Sequence, residues 1–65
     1  MTNSERIELL MDACTIATDY YLEKVKEEGV SVSDWMRYME LIEKYTKLHT
    51  SLLLDYFKDF AKGIE

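Results

Sequence analysis

Residues Ser31–Lys62 read SVSDWMRYMELIEKYTKLHTSLLLDYFKDFAK, and this stretch decides the fold. It holds no proline and no glycine, and it contains the chain's only Trp and only His. At helical steps of 100°, Trp35, Tyr38, Met39, Leu41, Ile42, Tyr45, Leu48, Leu52, Leu53, Tyr56, Phe57 and Phe60 share one side. Arg37, Glu40, Lys44, Lys47, Ser51, Lys58 and Lys62 take the other. The spacing predicts a helix of about eight turns, roughly 45 Å long. Ser31 and Asp34 have capping-box spacing, Val30 and Trp35 stand at staple positions, and Gly63 is the expected stop.

The apolar side covers about half the circumference, wider than the ~100° stripe that meets a single core. One partner helix leaves part of it bare.

Upstream, Thr2 and Glu5 also have capping-box spacing, so a first helix starts near residue 3 or 4. Apolar residues recur at Ile7, Leu10, Met11, Cys14, Ala17, Tyr21, Leu22 and Val25, flanked by Leu9, Ala13, Ile16 and Tyr20. Gly29 suits the left-handed position after a helix, with Val30 placed to pack back on Val25. The expected elements are a helix over about 4–28, a turn over 29–33 and a helix over about 34–62, in one domain spanning 1–65. So short a turn makes the helices antiparallel neighbours. The fold class is all-α, an antiparallel αα-hairpin. Pairing numbers that add to roughly 61 sets Val25 against Met36, Tyr21 near Met39, and Cys14 close to Lys47, Leu48 and His49.

A hairpin buries only its seam. Leu9, Ile16, Tyr20, Leu41, Tyr45, Leu48 and Leu52 are surplus, and leaving them wet forfeits on the order of 1.5–3 kcal/mol for each large aliphatic. They are the expected self-association set, and the expected assembly is a homodimer forming a four-helix bundle.

The plan of two such helices and one short turn resembles the small plasmid-copy-number hairpins of the Rop type. The resemblance covers architecture and implies a dimeric bundle. Rop-type proteins present basic helix faces to RNA, whereas the first helix here is acidic, and no functional residue carries over.

The chain has 65 residues and a formal net charge of −5. Glu5, Glu8, Asp12, Asp19, Glu23, Glu27 and Glu28 outnumber Arg6, Lys24 and Lys26 in the first helical segment, while the second is balanced. Phosphate backbones repel such a chain, which disfavours nucleic acid as a partner. Charges interrupt every apolar run, so no bilayer span is expected. A single cysteine and a polar start without a signal-type core make the cytoplasm the expected compartment.

Few residues suggest chemistry. His49 sits in the apolar stripe and Cys14 opposite it, and both are expected as buried polar residues that pack. A Cys–His dyad would need an orienting group and an oxyanion site, and structural zinc would need four ligands. There is no Glu-x-x-His, no His-Glu-x-x-His, no phosphate loop and no nucleophile elbow. No catalysis, metal or cofactor is expected. Glu8, Asp12, Asp19 and Glu23 form an acidic ridge that helix stability does not require, and it is the expected site for a partner protein with a basic surface. The expected function is a small acidic protein-binding regulator or inhibitor. The alternatives are an assembly subunit, or a Rop-like regulator binding nucleic acid through Arg37, Lys44, Lys47, Lys58 and Lys62.

Overall fold

The structure, a computed structural model, describes residues 1–64 as two helices packed against each other, α1 (Asn3–Lys26) and α2 (Val32–Ile64). Glu65, the last residue of the expected unit, lies outside the described residues. The hairpin is 53 Å long.

Thr2 caps α1: its Oγ1 accepts the Glu5 backbone N–H at 3.2 Å, satisfying one of the helix's orphan donors. The helix stops at Lys26, two residues short of the expected end. Glu27 turns to extended backbone, and its N–H donates to the Lys24 carbonyl at 3.3 Å. Lys24 Nζ also pairs with the Glu27 carboxylate at 3.3 Å. This tightened last turn closes the helix before Gly29 is reached. Gly29 then reverses the chain with φ +79, the left-handed conformation that glycine adopts without a Cβ clash.

The turn accordingly covers 27–31 rather than 29–33. Ser31 is itself the cap of α2: its Oγ accepts the Asp34 N–H at 3.1 Å and its carbonyl the Trp35 N–H at 2.9 Å. The helix therefore begins at Val32. At the far end it runs through Gly63 to Ile64, so Gly63 does not act as the stop. Glycine inside a helix costs about 1 kcal/mol relative to alanine, which a final turn tolerates.

Only Ile7 and Cys14 are fully buried among the described residues. The rest of the seam, including Tyr21, Val25, Tyr38, Leu41, Ile42, Tyr45, Leu52, Leu53 and Tyr56, is half-buried. Two helices give each other one covered side and no second layer. Tyr21 is the centre of the turn-proximal half, stacking on Tyr38 at 5.8 Å and on Tyr45 at 6.1 Å between ring centroids. At the open end the Asn3 side-chain amide donates to the Asp59 carboxylate. These pairings bracket the expected register. Among the described residues no helix is long and apolar enough to cross a membrane.

Candidate functional site

Helix α1 has two working sides. The side facing α2 carries Ile7, Cys14, Tyr21 and Val25. The opposite side carries Leu9, Ile16 and Tyr20, which are 56%, 69% and 55% exposed. At 100° per residue, Asp12, Asp19 and Glu23 fall beside these three, and all are exposed. The outward face of α1 is thus an acidic row interleaved with large apolar side chains. The sequence singled out the acids and the apolar ridge separately, and the structure makes them one surface.

Glu8 stands somewhat apart from that row. The Tyr56 hydroxyl hydrogen-bonds the Glu8 carboxylate, and this bond together with the carboxylate's charge holds Tyr56 above its ordinary pKa. Glu8 is itself exposed, with its carboxylate close enough to Tyr56 of α2 to act on that hydroxyl.

The expected self-association set divides. Leu41, Tyr45 and Leu52 are half-buried in the seam and Leu48 is exposed beside them. Leu9 and Ile16 are on the far side of α1 and share no face with those four. Conversely, the structure exposes a flank that the set omitted. Trp35, Met39, Phe57 and Phe60 lie along the other edge of α2, with Phe57 and Phe60 57% and 62% exposed. Their position was legible in the wide apolar arc, but which half of the arc α1 covers was not.

On that same flank, at mid-length of both helices, lies a hollow of about 210 Å³. Cys14, Thr15, Thr18 and Asp19 line it from α1, and Thr46, His49 and Thr50 from α2. The structure brings Cys14 and His49 to one place, as the expected register implies. His49, however, is half-buried rather than buried, and no polar or charged side chain is fully buried among the described residues. One partner helix shields only one side of the imidazole. Thr15 Oγ1 donates to the Met11 carbonyl at 3.1 Å and Thr50 Oγ1 to the Thr46 carbonyl at 3.0 Å. Those two hydroxyls are bonded within their own helices. Cys14 is a free, buried thiol. No group of three or more His, Cys, Asp or Glu is placed to hold a metal among the described residues.

A second, more polar hollow at the open end is lined by Asn3, Arg6, Asp55, Lys58, Asp59 and Lys62, with Ile7, Leu10 and Leu52 at its floor. On the solvent side of α2, Lys44 pairs with Glu40 at 3.2 Å and Lys47 with Glu43 at 2.9 Å. The hydrogen bond from Lys47, with its charge, holds Glu43 below the usual carboxylate range. Two of the cations that a phosphate backbone would need are thus already engaged by carboxylates.

No family model, characterised protein or solved structure matches the chain.

Proposed function

We propose that this chain is a non-catalytic protein-binding module that presents the outward face of α1 to a basic partner and acts as a small regulator or inhibitor. The observation that carries the reading is the exposure of Leu9, Ile16 and Tyr20 among Asp12, Asp19 and Glu23 on the side of α1 that folding does not use. Such a face combines two contributions. Like-signed charge raises the rate of encounter with a basic surface, and the apolar side chains lengthen the life of the complex once docked. Tyr20 suits the edge of such a site, because its ring packs while its hydroxyl stays wet.

The hairpin acts as a dimer in this reading, two copies completing a four-helix bundle. Fourteen large apolar side chains are exposed among the described residues and Ile7 is the one that is buried, which favours a partner surface covering part of the excess.

The test is a double reversal, Asp12→Lys with Glu23→Lys, two exposed acids outside the hollow. A partner recovered with the wild-type chain is purified and its affinity for both forms measured at low and high salt. The reversal should leave helicity and oligomeric state intact and weaken binding, most strongly at low salt. Affinity that survives the reversal and is lost on changing Tyr38 or Tyr45 would move the working face to α2 and sink this reading.

A further inference from the structure

We infer that the hairpin pairs with a second copy of itself through the face holding the threonine-lined hollow, with the dyad parallel to the helices, so that α1 of each copy lies over α2 of the other. This rests on the bundle reading above and specifies which face closes and in what sense.

The occupant follows from area. The chain exposes 5301 Å² at a mass of 7.7 kDa. A compact monomer of that mass exposes about 4,300 Å², leaving an excess of roughly 1,000 Å². A standard interface covers about 800 Å² on each partner, so one more hairpin absorbs the excess.

The face follows from the repeat. A helix in a four-helix bundle touches two neighbours and needs two apolar stripes at a 3.5-residue period. On α2 one stripe steps alternately by four and three from Trp35 through Met39, Ile42, Thr46, His49, Leu53 and Tyr56 to Phe60. On α1 the same steps join Met11, Thr15, Thr18, Leu22 and Val25. Both stripes border the hollow lined by Thr15, Thr18 and His49, so they lie on one side of the hairpin. The opposite side begins well with Tyr38, Leu41, Tyr45, Leu48 and Leu52, but then reaches Asp55 and Asp59. There Arg6, Lys58 and Lys62 crowd the same hollow. Closing that side would strand charges away from water, which costs more than it returns. On the hollow face the stripes carry no charge from Met11 to Val25 or from Trp35 to Phe60, and Asp19 is the single carboxylate lining the hollow, at mid-length and beside the threonines.

The sense of the dyad follows from charge. Two arrangements put the hollow faces together. With the dyad perpendicular to the helices, α1 lies over α1 of the copy, and Glu8, Asp12 and Asp19 of both chains line one edge. With the dyad parallel to the helices, α1 lies over α2, which carries equal numbers of acids and bases, and the acidic rows part to diagonal edges. Neighbouring helices are antiparallel in both, so the helix dipoles do not choose between them. Like-charge repulsion does. The chosen arrangement also leaves Leu9, Ile16, Asp12 and Glu23 on the outside, with Asp19 at the edge of the hollow.

The turns are then at the same end of the dimer. The test places a nitroxide on Glu28→Cys in a Cys14→Ala background and reads the inter-spin distance by pulsed dipolar spectroscopy. The expected result is a dimer with a distance well below half of the 53 Å length of the hairpin. A dimer with the labels near that full length overturns this inference and leaves the bundle reading standing; a monomer overturns both. The face is tested without touching Cys14, by light scattering on Trp35→Glu and Leu48→Glu in the wild-type chain. Trp35→Glu should weaken the dimer roughly thirtyfold or more, while Leu48→Glu leaves it within a few-fold. The reverse ranking would place the interface on the other side and overturn the inference.

Discussion

Tyr21 and Tyr45 stack across the seam with ring centroids 6.1 Å apart and planes 21° from parallel. Tyr38 stacks on the same ring, so one side chain of α1 holds α2 at two points about two turns apart. Tyr21→Ala should cost about 2–3 kcal/mol, combining lost burial with the pairwise aromatic contribution. Tyr21→Phe should stay within about 0.5 kcal/mol, because a half-buried hydroxyl with access to water contributes little. Urea unfolding at one fixed protein concentration measures both.

Gly29 should resist replacement for a purely conformational reason. A Cβ added there meets nothing within 4 Å, so no clash with the fold enters. The φ of +79 remains, and Gly29→Ala should lose about 1–2 kcal/mol. Gly29→Asn should lose less, since asparagine visits this region more readily. Thermal unfolding of the two variants gives the ranking.

The Glu8–Tyr56 contact predicts a pH signature. Tyr56 keeps its proton above the ordinary tyrosine value because its hydroxyl bonds Glu8 and faces that negative charge. The folded state binds this proton more tightly than the unfolded chain. The contact therefore stabilises fully below the ordinary value and is lost as pH rises through the folded one. Glu8→Gln should return Tyr56 toward the ordinary range, read from its ring resonances in an NMR titration.

The Glu43–Lys47 pair gives the opposite sign. Glu43 is held low by the hydrogen bond from Lys47 and by its charge, so its contribution is present above the ordinary glutamate value and fades as pH falls through the folded one. Lys47→Met should restore the usual carboxylate range. Carboxyl carbon shifts are the measurement, since so exposed a pair leaves the melting temperature nearly unchanged.

His49 is expected to pack rather than to act. His49→Leu should retain the helical content by circular dichroism and leave stability equal or higher, because the imidazole is half-buried and a leucine there has no polar group to desolvate. His49→Gln should keep the same helicity. A stoichiometric metal in the purified protein, lost on either change, would overturn this.

Much of the fold was legible because its determinants are local. Thr2, Ser31 and Gly29 announce two caps and a turn through side chains that act on their own backbone. The ends were less legible. Lys24 and Glu27 close α1 early through a contact that helical periodicity does not encode, and Gly63 offers a stop that the backbone does not use. At the candidate site, Asp12, Asp19 and Glu23 were legible as an outward row, whereas Glu8 was not separable from them. Its tie to Tyr56 depends on a register finer than one turn. His49 is half-buried in the single hairpin; a wheel shows which side a residue takes and not how much of that side one neighbour covers.

A covalent turn joins the helices at one end, whereas at the other the Asn3–Asp59 bond spans 56 residues of chain. Opening is then directional. Amide protons in the first turns of α1 should exchange fastest, and protection should build toward Gly29 as each lost contact frees a shorter loop. The start of α1 is the latch of the hairpin, and it is there that a protease would first find purchase.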